Sequence, residues 1–214
     1  MNIVQAKLEI NRIFSSYGVN PNLPTGKGKI YELYCLGLLM EELSSDGFSM
    51  TYHGPNPATF KAGPGLIHKA DPHFDLSYSG VVYGQIYLNI EFRTLGATQT
   101  PHSDRSCWHE LDVVIVEDGV TGRPDHDDVL MGLECKSSAK FNKGILKETL
   151  GVRREMTLLA RPQDSSLTQI CSSRGRRLNC DPPSEYRLCY IDLAGSNYSA
   201  SSDHFGIELT HWEP

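Results

Sequence analysis

The chain has 214 residues, 39% hydrophobic and 21% charged, with a formal net charge of −6. That composition excludes a disordered polymer, and no run approaches the roughly 18 apolar residues of a membrane span. The acidic balance also argues against a protein that coats nucleic acid through charge alone.

The length suits one domain, 1–214, with a decorated core. Met1 to Lys7 has no basic flank followed by an apolar core, so no secretory signal is expected there. Cysteines at 35, 107, 135, 171, 180 and 189 include no pair at two-residue separation. This spacing counts against zinc ribbons, thioredoxin-like motifs and compact disulfide frameworks. Reduced thiols packed as small hydrophobes are expected, in a cytoplasmic protein.

In chain order, residues 2–16 carry weak helical periodicity, and the Gly, Asn and Pro of 18–26 make a loop. A helix is predicted from about Ile30 to Leu43, stopped near Gly47. Residues 48–66 read as irregular. Residues 73–94 read as strands, with a turn at Tyr78-Ser79-Gly80. Strands at 110–116 and 129–136 are joined by a polar linker short enough to favour antiparallel pairing. A second helix is expected over Lys143 to Ala160, then a polar loop over 161–183. A strand at 186–193 and a further one at 205–209 complete the pattern, an α/β sheet flanked by helices.

Chemistry concentrates on the two central strands. Glu134 and Lys136 are two apart and project from one face of a strand that is otherwise apolar. Unpaired charges there are costly, and a divalent cation held by Asp112 and Glu134 beside Lys136 would offset that cost. The carbonyl of Cys135 offers a further hard ligand. Such a set suits phosphodiester hydrolysis, which needs an activated water and neutralised phosphate charge. Taken alone, Glu-x-Lys also fits a plain ion pair.

Glu32 shares the stripe of Leu36, Leu39 and Leu43 on the first helix, within roughly 40° around its axis. It either reaches the same site or simply favours the positive helix end. Residues 104–134 hold nine acidic and two basic side chains, whereas 136–154 hold six basic and one acidic. On the second helix Ile145, Thr149, Val152, Met156 and Leu159 form a core stripe. Lys143, Lys147 and Arg154 lie opposite, with Lys140 just before the helix. That face either tracks phosphates or is a solvated helix back. Arg174, Arg176 and Arg177 either grip a nucleic-acid backbone or belong to a surface loop.

Three segments together resemble the PD-(D/E)xK nuclease superfamily over about residues 27–193. They are Gly26 to Glu32 opening a helix, Leu111-Asp112, and Glu134-Cys135-Lys136 followed by a helix. The first motif is Leu-Asp and not Pro-Asp. The resemblance implies a restriction-endonuclease-like α/β fold, a mixed central sheet flanked by helices with extra irregular and strand segments. It implies Mg²⁺, with Mn²⁺ able to substitute, on Asp112 and Glu134, and Glu32 completing the site. Lys136 would assist the attacking water or the phosphate, and it favours Lys140 and Lys143 over Arg154 as substrate contacts. The function it implies is a metal-dependent endonuclease acting on DNA in restriction or anti-phage defence, as a homodimer or within a larger defence complex. An RNase with the same site, and a non-catalytic nucleic-acid-binding or assembly module on the same fold, remain the alternatives.

Overall fold

A computed structural model describes residues 1–100, 103–137 and 140–214. Helices α1 (Ile3–Ser16) and α2 (Lys27–Asp46) open the chain, and β1 (Ser49–His53), β2 (His73–Tyr78) and β3 (Val81–Arg93) follow. After the one-turn helix α3 (Leu95–Thr98) come β4 (Trp108–Glu117), β5 (Val129–Lys136) and helix α4 (Lys143–Met156). The remainder is β6 (Leu158–Asp164), α5 (Ser166–Ile170), β7 (Arg177–Asp181), β8 (Glu185–Tyr190), α6 (Ser199–His204) and β9 (Ile207–His211). Among the described residues no helix is long and apolar enough to cross a membrane.

Seven strands form one mixed sheet in the order β1-β2-β3-β4-β5-β8-β9. The first five pair antiparallel, including β4 with β5 as the short linker predicts. β8 and β9 add in parallel, which requires the long crossover that α4 provides. Both faces of the sheet are covered. On one, Ile10 and Phe14 of α1 and Leu36 and Leu39 of α2 pack with Ile86, Leu88, Val113, Ile115 and Leu133. On the other, Val152 and Met156 of α4 pack with Tyr87, Val114, Val116 and Tyr186. Each fully buried aliphatic or aromatic side chain here contributes about 1.5–3 kcal/mol. Gly47 ends α2 in the left-handed conformation at φ 109°, the stop expected of it.

Four sequence expectations need correction. The segment 48–66 is not wholly irregular, because Ser49–His53 pairs with β2 as an edge strand. The second helix ends at Met156, four residues early. Thr157 takes an extended backbone, its hydroxyl donates to the carbonyl of Pro182 at 2.8 Å, and Leu159 then pairs with Cys180 in a separate two-stranded sheet. Leu159 is therefore 55% exposed on β6 and not part of the core stripe. The span 161–183 is likewise no simple loop, since it supplies most of the β6–β7 hairpin.

Arg174 and Arg176 are not surface grips for a nucleic-acid backbone. The Arg174 side chain is buried, with Nη1 at 2.6 Å from Asp46 and Nη2 at 2.6 Å from Glu185. Arg176 pairs with Glu42 and Glu208. Arg187, fully buried on β8, donates to both oxygens of Glu42 at 2.7 Å. The physical reason is that α2 and β8 each bring buried charge to this layer. Buried charges persist only when paired.

Candidate active site

The alternation of β3 and β4 breaks at one point. On β3, Ile86 and Leu88 face α1 and α2, yet Ile90 and Phe92 join the α4 side. On β4, Val113 and Ile115 face α2 while Leu111 joins Val114 and Val116 on the α4 side. The change of phase falls at Asn89 and Asp112, which are bracketed by the pairs Leu88–Val113 and Ile90–Leu111. Asn89 has φ 55°, a left-handed backbone that asparagine tolerates better than most residues. A strand that changes phase sends a polar side chain toward a core face where strict alternation would place an aliphatic one.

Asp112 sits on this seam beside the point where β4 and β5 separate. The ladder between them runs from Val116 with Val129 to Val113 with Leu133 and goes no further. Beyond it the N–H of Cys135 donates to Asp112 Oδ2 at 2.7 Å. A side chain thus takes the bond that the ladder would have made. The strands approach closely just before this point, because Gly132 leaves room for Leu111; a Cβ there would lie 2.9 Å from Leu111 Cδ1.

Glu134 and Lys136 project from β5 toward α4, as the period-two spacing predicts, and pair at 2.7 Å. They line a cleft of about 300 Å³ with His109, Glu148, Glu155 and Tyr186. His109 Nδ1 lies 3.1 Å from Glu155 Oε2, and that bond raises the imidazole's pKa. Tyr186 is buried, and its hydroxyl is without a hydrogen-bond partner among the described residues, a costly state unless something in the cleft accepts from it.

Glu32 is buried on the α2 side of the seam. Lys29, one turn earlier, bonds Glu32 Oε2 at 2.9 Å and Asn89 Oδ1 at 2.5 Å, and the Asn89 amide donates to Glu32 at 3.3 Å. The sequence reading missed Lys29, Asn89, Glu110 and Tyr186. Lys29 lay inside the quoted helix-opening segment, whereas Asn89 becomes visible only through the phase change it creates.

The electrostatics tie these groups together. Burial first, and then the negative charges of Glu134 and Glu32, push Asp112 up to about 8. Burial also raises Glu32 and Glu110, with Lys29 opposing the shift in both. Burial lowers the Lys136 pKa, but the neighbouring Glu134 and Asp112 reverse the shift and hold it above its ordinary value. Acids therefore outnumber bases at this seam. No choice of one oxygen each from Glu32, Asp112 and Glu134 brings all three within 4.8 Å of one another; among the described residues only the thiols of Cys35, Cys135 and Cys189 converge so closely.

Lys140, Lys143, Lys147 and Arg154 are all exposed. Arg153, counted in the same basic run, turns inward and donates to the carbonyl of Phe205 at 3.1 Å and to Ser184 Oγ at 3.3 Å. Four of the six basic residues in 136–154 are thus open to a ligand, with Lys136 inside the cleft.

No protein-family model, curated protein or solved structure matches this chain.

Proposed function

We propose that the chain is a metal-dependent endonuclease that hydrolyses phosphodiester bonds in DNA, with Asp112, Glu134 and Lys136 as its working groups and Glu32 in support. The observation that carries this reading is Asp112. It is a carboxylate fixed by the Cys135 N–H, and burial first, then the charges of Glu134 and Glu32, bring its pKa up to about 8. Carboxylates crowded in this way are stabilised by a cation. The donors are hard oxygens, which suits Mg²⁺ or Mn²⁺.

Asp112 and Glu134 would hold the ion, with the carbonyl of Cys135 as a further oxygen donor, and Glu32 would join them on moving away from Lys29. When bound, the ion would supply charge neutralisation at the phosphate and a more acidic water. The chain's own residues do the remaining work. Lys136 Nζ, now on Glu134, is positioned to meet a phosphate oxygen in the cleft. The Tyr186 hydroxyl gains an acceptor once a phosphate or its water enters. Lys140, Lys143, Lys147 and Arg154 would hold the polymer through its phosphates. Restriction or anti-phage defence, a cytoplasmic location and a dimer or larger complex belong to this reading by analogy with the superfamily that the motifs resemble.

One observation favours a second reading, a non-catalytic nucleic-acid-binding or assembly module. Glu32 and Glu134 already have lysine partners, Lys29 and Lys136, so those two need no metal. The deciding experiment is a cleavage panel of plasmid DNA and RNA with Mg²⁺, Mn²⁺ or chelator, run on wild type, Asp112→Asn and Lys136→Ala. Metal-dependent DNA cleavage lost in both variants supports the nuclease. Cleavage of RNA alone makes it an RNase. DNA binding with neither cleavage nor metal uptake gives the module.

A further inference from the structure

The face of β5 opposite Glu134 and Lys136 carries a second cluster. Cys135 points toward α2 and packs against that core. There it meets Cys35 of α2 and Cys189 of β8, and the three Sγ atoms all lie within 4.8 Å of one another. Cys135 and Cys189 are register partners across the parallel pair. All three thiols are free. Cys35 and Cys189 have no exposed surface, and the Cys135 side chain packs against the same core.

Spacing in the sequence could not reveal this group, because its members come from three elements and are 100 and 54 residues apart. The remaining cysteines have other surroundings. Cys171 donates to the carbonyl of Asp46, and Cys180 accepts from Arg153. Among the described residues the three clustered sulfurs are the one set of three metal-ligating atoms that converge.

The geometry points to a site for one thiophilic d¹⁰ cation, Zn²⁺ or Cu⁺, held by the sulfurs of Cys35, Cys135 and Cys189 on the reverse of the strand that carries Glu134 and Lys136. Soft thiolate ligands select such ions over Mg²⁺, which takes oxygen. Three sulfurs complete a trigonal set for Cu⁺ and leave Zn²⁺ one tetrahedral position for a fourth ligand. Binding replaces three S–H protons with one cation, and the protons pass to solvent. The ion would cross-link α2, β5 and β8 behind the carboxylate seam. This site stands whether or not the chain is a nuclease, since it shares no ligand side chain with Asp112 or Glu134.

The test uses the full chain, stripped with chelator under anaerobic, reducing conditions and titrated separately with Zn²⁺, Cu⁺ and Cd²⁺, the last as a spectroscopic probe. The expected result is one equivalent bound, a sulfur-to-metal charge-transfer band with Cd²⁺ or Cu⁺, and a higher Tm. Competition against a chelator of known affinity then identifies whether Zn²⁺ or Cu⁺ is the better fit. Cys35→Ser and Cys189→Ser should weaken binding at least tenfold, whereas Asp112→Asn and Cys171→Ser should leave it unchanged. Should a cysteine variant fail to fold, the charge-transfer band of the wild type still decides. Absence of that band in folded wild type overturns the assignment. So does binding lost in Asp112→Asn, or loss of two thiols to a Cys135–Cys189 disulfide with no metal retained.

Discussion

Two charged regions lie on this sheet and behave in opposite ways. Around β8, Arg174, Arg176 and Arg187 meet Glu42, Asp46, Glu185 and Glu208. Burial alone would raise Glu42, but the bonds from Arg187 and the charges of Arg174 and Arg176 outweigh it and bring Glu42 down to about 2. At the seam, Asp112 experiences burial of the same sign, meets mostly other acids, and rises to about 8. A balanced network consumes its charge in holding the fold, whereas an unbalanced one keeps charge available for a ligand. The contrast separates a cluster whose carboxylates are paired with arginines from one whose carboxylates crowd each other, where burial alone would not.

The largest effect should come from breaking the balanced side. Glu42→Gln leaves Arg187 and Arg174 short of a partner, at a cost of about 3 kcal/mol, read as a lower midpoint in urea unfolding. A loss below about 1 kcal/mol would mean that Glu208, Asp46 and Glu185 suffice and that the network is not tightly coupled.

The next effect is a pH dependence of opposite sign in the two regions. Asp112 has a folded pKa above its unfolded value, so its favourable contribution is complete below about pH 4 and is lost as pH rises toward about 8. With chelator present, wild type should lose stability across that window from this group, and Asp112→Asn should not. Mg²⁺ should return stability to wild type and do nothing for the variant. Glu42 runs the other way: its contribution is present above its unfolded pKa and disappears as pH falls toward about 2. Thermal melts of wild type, Asp112→Asn and Glu42→Gln at several pH values would check both signs. An unchanged slope in Asp112→Asn would remove the contrast.

A smaller effect concerns binding. Charge reversal at Lys143 and Lys147 together should weaken DNA binding at least tenfold and reduce the salt dependence by about two phosphate contacts. Equal binding in a salt titration would make that face a solvated helix back. The smallest effect is Tyr186→Phe. Its hydroxyl has no partner to lose among the described residues, so unfolding stability should stay within about 1 kcal/mol of wild type. Cleavage should fall several-fold if the hydroxyl meets a phosphate.

Much of this arrangement was legible in the sequence, and the misses share a cause. The strands carrying Asp112, Glu134 and Lys136, and their antiparallel pairing, follow from apolar runs and one short linker. Glu32 was placed on the buried stripe of α2 from helical period alone, and it is buried. The strand β6 went unread because six of its seven residues are exposed, which leaves no alternation to detect. Arg174 and Arg176 read as surface cations because nothing local in the sequence shows which acids on α2, β8 and β9 pair with them. Asn89 gave no local signal, and its role depends on the residue across the ladder. Periodicity reports the face a residue occupies; it does not report which distant residue shares that face.

The phase change at Asn89 and Asp112 has a consequence for how such a protein can diverge. Neither residue belongs to the hydrophobic clusters on the two sides of the sheet. Substitutions on the seam can therefore retune or erase the chemistry while the packing that specifies the fold stays intact. Under the proposed function, descendants of this chain would lose activity and keep their shape, leaving inactive copies free to serve as scaffolds.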